Sequence, residues 1–214
     1  MPLAEGKDVS SGTTAGTALA GEARQPAPSA LNLPNIITLS RLVLAIFLFW
    51  LIDIGNHWLA ASVVFVIAAA TDAIDGYIAR RYGLVTKIGR IFDPFVDKVI
   101  IGGAFMFLAV KPDSGVNAWM VIAVIGREMF VTSLRSVLES EGKDFSATTS
   151  GKIKMVVQCL AVVGSLMFLE YGRGAADERT WAFARDALLW SAVAVTLYSG
   201  YEYIVRAARL FRSP

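Results

Sequence analysis

Long apolar runs alternate with short polar breaks along most of this chain. Six of the runs have the length of a membrane-crossing helix: Ile36 to Ile54, Trp58 to Tyr82, Ile88 to Val110, Ala118 to Leu138, Ile153 to Tyr171 and Trp181 to Ile204. The breaks between them are turn chemistry or charge. They read DIGN (53–56), KPDSG (111–115), the longer ESEGKDFSATTSGK (139–152) and GRGAADER (172–179). Trp50, Trp58, Trp119, Trp181 and Tyr171 fall near the ends of the runs, where amphipathic rings settle at a membrane surface. The pattern predicts an all-α fold, a polytopic integral membrane protein with six transmembrane helices.

Composition agrees: the 214 residues are 55% hydrophobic, with mean hydropathy +0.55, well above a soluble domain. The net charge of +2 decides little, because in such proteins the placement of Lys and Arg along the chain sets orientation. Placing both termini, the 80–90 turn and the 139–152 loop on one side gathers all of the 20 basic residues there except Lys111, Arg173, Arg179 and Arg185. That side is expected to be cytoplasmic, with the protein in the cell membrane. Residues 1–30 are rich in Ala, Gly, Ser, Thr and Pro without periodicity and read as a disordered tail, leaving 31–214 as one membrane domain. No secretory signal is expected, since Thr13 to Ala20 is too short and too polar. The one cysteine, Cys159, excludes an internal disulfide and reads as a packing residue, and the lone His57 falls in a short loop.

Against this apolar background the stretch TDAIDGYIARRYGLVTKIGRIFDPFVDK (71–98) stands out, because it puts Asp72, Asp75, Asp93 and Asp97 at membrane depth. Asp72 and Asp75 are three apart and Asp93 and Asp97 four apart, so each pair shares a helix face. If the two helices form a hairpin about Gly83 and Leu84, both pairs reflect about one point, and the four carboxylates gather within about 5 Å along the axis. Such a cluster repels itself unless protons or cations intervene, which predicts bound metal. All donors are hard oxygens, favouring Mg²⁺, Mn²⁺ or Ca²⁺ over zinc or copper, and four carboxylates suit two ions. Gly76, Ala79 and the basic Arg80, Arg81, Lys87 and Arg90 nearby suit a phosphate or pyrophosphate.

These residues spell D-x2-D-G-x2-A-R-x8-G-x3-D-x3-D, here Asp72, Asp75, Gly76, Ala79, Arg80, Gly89, Asp93 and Asp97, with no position missing. The chain thereby resembles the CDP-alcohol phosphotransferase family. The resemblance implies that Asp72, Asp75, Asp93 and Asp97 hold two divalent ions, Mg²⁺ or Mn²⁺, and that Asp97 also takes the proton of the attacking alcohol. It further implies a CDP-diacylglycerol contact set of Asn35, Thr38, Gly76, Arg80 and Thr86, a homodimer, and a membrane-lipid product, with no nucleic-acid partner. Asn35 and Thr38 belong to the opening LNLPNIITLSR (31–41), whose other reading is an interfacial lead-in with Arg41 reaching up to the headgroups. Departures from the family pattern are confined to Phe92, Phe95 and Val96, which touch packing alone.

A second basic constellation bears on the acceptor. Arg127 and Arg135 are eight apart on one helical stripe, and two arginines in an apolar helix are expensive unless they meet anions. Either Glu128 pairs with one of them structurally, or they bind a substrate anion together with Lys152 and Lys154. The pattern G-R-E-x4-S-x-R followed by G-K-x-K resembles the branch of the family whose acceptor is glycerol 3-phosphate, which implies synthesis of phosphatidylglycerol phosphate and CMP. Alternatives are an inositol phosphate or phosphatidylglycerol acceptor, and, outside the family, an ion transporter using the intramembrane carboxylates.

Overall fold

The computed structural model describes the backbone over residues 33–82, 87–140 and 149–212 and side chains over 39–71, 95–140 and 151–210. Among the described residues every regular element is a helix: α1 (Leu33–Ile54), α2 (Trp58–Tyr82), α3 (Lys87–Ala109), α4 (Ala118–Ser140), α5 (Thr149–Met167), a five-residue π-helical turn (Phe168–Gly172) continuing α5, and α6 (Glu178–Arg212). The expected tail, residues 1–30, lies outside the described residues.

Helix ends fall where the polar breaks put them. Between α1 and α2 the chain turns through Gly55 and Asn56, both at positive φ, and between α3 and α4 through Asp113 and Gly115. A side chain at Gly115 would also run into Arg185, whose Nε lies 2.5 Å from where a Cβ would stand. Lys111, Arg173 and Arg185 gather at this end, Arg173 on the Asp113 carboxylate at 3.3 Å and Arg185 on the Asp113 carbonyl at 2.6 Å. Lys111 donates to the carbonyl of Asp53 at 2.5 Å. The α2 start is tied in as well, since the Glu170 carboxylate accepts the Leu59 N–H at 3.1 Å.

The helices close a ring in the order α1, α2, α5, α6, α4, α3, each packing on the next, with α3 also touching α5 across the middle. Buried stripes recur at helical spacing: Ala45, Leu48 and Ile52 on α1, Ala61, Phe65 and Ala68 on α2, Ile100, Ala104 and Leu108 on α3. A smaller second core of Val131, Leu138, Tyr203 and Ala207 joins α4 to α6. The outward faces are apolar too, with Ile46 and Trp50 on α1, Ile67 on α2, Met106 on α3, Ile122 on α4, Leu160 on α5 and Trp190 on α6 all exposed. Among the described residues one continuous helix, Gly151–Gly172, is long and apolar enough to cross a membrane by itself, and Trp58–Thr71 is a shorter apolar helix.

One expectation changes. Trp58 is turned inward and buried, packing near Gly55 instead of lying at a surface. The glycine pair of α3 is used within the chain: Gly102 faces Ile125 of α4, and Gly103 receives the ring of Phe49, which stacks on Phe107 with centroids 5.0 Å apart. A Cβ at Gly103 would stand 2.2 Å from Phe49 Cζ. Gly103→Ala is therefore expected to cost about 1–3 kcal/mol by overpacking, read as a lower thermal midpoint in detergent. Combining it with Phe49→Leu should recover part of the loss. An unchanged midpoint would show that the ring moves aside freely.

Candidate functional site

The polar interior begins on α1. Arg41 is 2% exposed and forms an ion pair with Asp97 of α3. A buried guanidinium needs a counter-charge at hydrogen-bond range, and the half-buried Asp97 carboxylate supplies one. The headgroup reading of Arg41 is thus replaced by an internal one. The signal was present in the sequence: α1 and α3 run the same way, and Arg41 and Asp97 lie equally far, within one residue, from the ends Ile54 and Ala109.

Asp97 also faces an open cleft of ≈ 230 Å³ where α3, α4 and α5 meet, lined on its polar side by Asp97, Lys98, Glu128, Lys154 and Gln158. Glu128 of α4 is the hub of the far wall. Its Oε1 accepts from Arg127 Nη1 at 2.9 Å and from Lys154 Nζ of α5. Arg127 turns its Nη2 to Ser199 Oγ of α6 at 2.6 Å. Two turns further along α4, Arg135 donates to the Tyr203 hydroxyl at 3.2 Å. The Tyr203 ring lies between the two arginines, 5.3 Å from Arg127 Cζ and 5.9 Å from Arg135 Cζ. Beside the hub, Gln158 donates to Thr196 at 2.8 Å, both side chains buried.

The charges in this wall do not balance locally. Among the described residues Arg127 and Lys154 share one carboxylate, Glu128, while Arg135 donates to the uncharged Tyr203 hydroxyl. The Nε atoms of Arg127 and Arg135 are buried with no hydrogen-bond partner. A surplus of positive charge behind an open cleft that Lys154 itself lines is suited to an anion.

Of the predicted site residues, the structure brings Asp97 and Lys154 to one cleft, with Arg127 joined to it through Glu128. Arg135 stands behind them on Tyr203, and Lys152 is exposed and does not line the cleft. Asn35 and Thr38 lie on α1, Asp72, Asp75, Gly76 and Arg80 on α2, and Asp93 on α3. Their side chains, and all of Thr86, are outside the described residues. So is the hairpin turn itself. Among the described residues no three acidic, His or Cys side chains gather at metal-binding range, as Asp97 alone of the four aspartates is among them. The donor chemistry nonetheless fits a hard divalent cation: Asp72 and Asp75 stand one turn apart on α2, Asp93 and Asp97 one turn apart on α3, and Asp97 opens to the cleft. Ser199, Tyr203 and Gln158 were not foreseen, since a hydroxyl or amide in an apolar run carries no sign of its distant partner.

The family model described as CDP-alcohol phosphatidyltransferase matches residues 31–198. A Bacillus subtilis (strain 168) protein named CDP-diacylglycerol–glycerol-3-phosphate 3-phosphatidyltransferase is 39% identical over 187 residues, 80% of this chain and 93% of that protein. One of the same name from Rickettsia bellii is 31% identical, covering 84% of this chain and 97% of that one. A Mycobacterium tuberculosis protein named probable phosphatidylglycerophosphate synthase is 35% identical, covering 83% and 82% respectively.

Proposed function

The chain belongs to the CDP-alcohol phosphatidyltransferase family, and from that premise we propose that it transfers a phosphatidyl group from CDP-diacylglycerol to glycerol 3-phosphate, giving phosphatidylglycerol phosphate and CMP. The observation that carries the acceptor half is the cleft: Asp97, at the end of the family's aspartate motif, faces the cationic wall built on Glu128 and Lys154 across ≈ 230 Å³. A phosphate monoester carries roughly −1.5 to −2 charges at pH 7, which matches the uncompensated cations of that wall. Neutral alcohols have no use for it. The exposed apolar faces of all six helices support a six-span arrangement in the cell membrane, its active site open to the cytoplasm.

In this reading Asp72, Asp75, Asp93 and Asp97 would hold two divalent ions, Mg²⁺ or Mn²⁺. When bound, these would stabilise the attacking and leaving oxygens of the displacement. Asp97, oriented by Arg41, accepts the proton of the glycerol hydroxyl as its oxygen attacks the phosphatidyl phosphorus. The bond to CMP breaks, and CMP departs as a stable phosphate that needs no general acid. Asn35, Thr38, Gly76, Arg80 and Thr86 contact the CDP moiety. Lys154 and Arg127 hold the acceptor phosphate, with Arg135 adding positive charge from behind and Lys152 at the exposed start of α5. A homodimer, with the acyl chains lying along the outer apolar faces, completes the proposal.

The test is CMP release from CDP-diacylglycerol by the purified protein with glycerol 3-phosphate, inositol phosphate or phosphatidylglycerol as acceptor. Release with glycerol 3-phosphate, abolished by chelation and restored by Mg²⁺ or Mn²⁺, is expected. Release with another acceptor in its place would reassign the acceptor, and cation flux through liposomes without CMP would return the transporter reading.

A further inference from the structure

Glu128 is placed oddly for a residue whose neighbours are to bind a phosphate. A carboxylate inside an anion site weakens the cations it faces, so a purely structural counter-ion belongs outside the cleft. Here it lines the cleft, side by side with Lys154 and across from Asp97. Its two oxygens are also used unequally. Oε1 accepts from both Arg127 and Lys154, while Oε2 accepts no hydrogen bond among the described residues. The Glu128 side chain is 17% exposed, and Oε2 is not among the buried polar atoms that lack a partner, so this oxygen has access to the cleft.

An ionised carboxylate is an acceptor only, and two cations on Oε1 hold this one ionised and fixed in orientation. What it can take from a ligand is a hydroxyl proton donor. The cleft is smaller than the roughly 300–1,000 Å³ of drug-sized pockets, so the donor belongs to a small molecule. Resting on the acceptor reading above, we propose that Glu128 Oε2 accepts a hydrogen bond from the hydroxyl of the acceptor that does not react, the middle hydroxyl of glycerol 3-phosphate. Glu128 is then the residue that selects a polyol phosphate, with Lys154 and Arg127 taking the phosphate and Asp97 the attacking hydroxyl. Its negative charge, unhelpful to the phosphate, is what repels acceptors that offer no hydroxyl at that point, because the carboxylate would lose its water without a replacement donor.

The probe is 3-hydroxypropyl phosphate, which keeps the phosphate and the attacking primary hydroxyl and lacks the middle one. Wild-type protein is expected to favour glycerol 3-phosphate in kcat/KM by about tenfold or more, the scale of a hydrogen bond to a charged group. In Glu128→Gln the preference should shrink to about threefold or less, whatever happens to the absolute rates. A residue that merely steadies Arg127 and Lys154 would change both acceptors alike and leave the ratio untouched. If Glu128→Gln is not recovered folded, Glu128→Asp keeps the charge and withdraws the oxygen, and should also shrink the ratio. A wild-type enzyme that uses the two acceptors equally, or a variant that keeps the full preference, overturns the assignment while leaving the phosphatidyltransferase reading intact. A wild-type enzyme that releases CMP only with some other acceptor removes that reading, and this assignment with it.

Discussion

Asp97→Asn is expected to lower turnover by at least ~10²-fold, the scale of losing a positioned base. The substitution keeps the size of the side chain and its place beside Arg41, so the guanidinium can still donate to the amide oxygen across the α1–α3 contact, without its counter-charge. It removes the one group on the cleft's α3 wall able to take a proton, and one negative charge from the proposed cation site. Binding of CDP-diacylglycerol should fall much less than kcat, because the nucleotide contacts are assigned to other residues. The check is kcat and donor affinity measured on one purified preparation, with the thermal midpoint as a control for the loss of charge opposite buried Arg41. Near-normal turnover would take Asp97 out of the base role.

Lys154→Ala and Arg135→Ala are each expected to raise the KM for glycerol 3-phosphate by roughly ten- to a hundredfold, since losing a hydrogen bond to a charged group costs about 1.5–3 kcal/mol. The KM for CDP-diacylglycerol should stay nearly unchanged, and Arg80→Ala should show the reverse split. The structure makes the Arg135 result interpretable. The structural alternative in the sequence paired one of the two arginines with Glu128, and it is Arg127 that does so, together with Lys154, whereas Arg135 donates to the Tyr203 hydroxyl. Truncating it strands no buried carboxylate, so a change in acceptor KM cannot be a by-product of an orphaned charge. Lys154→Ala leaves Glu128 with Arg127, again a paired state. Equal shifts in both KM values, with a lowered thermal midpoint, would instead mark these cations as structural.

Helix existence and limits were legible because membrane-length apolar runs and their polar breaks are local properties of the chain. The second and fourth runs begin on the predicted residues Trp58 and Ala118, and the first two end on the predicted Ile54 and Tyr82. Where the sequence and structure part, the cause is a partner from another helix. Trp58 has the composition of an interface anchor, and it is buried because α1 turns through Gly55 beside it. Gly102 and Gly103 advertise a close contact without saying with what, and the answers, Ile125 and Phe49, come from helices on opposite sides of α3.

The sequence by itself determined the all-α architecture, the family, and the aspartate motif, since hydrophobic runs, fixed spacings and charge type are all written along one strand of chain. Only the tertiary structure decided which charges meet. Arg41 finds Asp97 across 56 positions, Lys154 finds Glu128 across 26, and Arg127 and Arg135 find Ser199 and Tyr203 across 72 and 68. A charge in an apolar helix announces that it needs a counter-charge. Which one it gets depends on helix order around the ring and on depth along each axis, quantities set by the packing of α1 through α6 together and carried by no single segment.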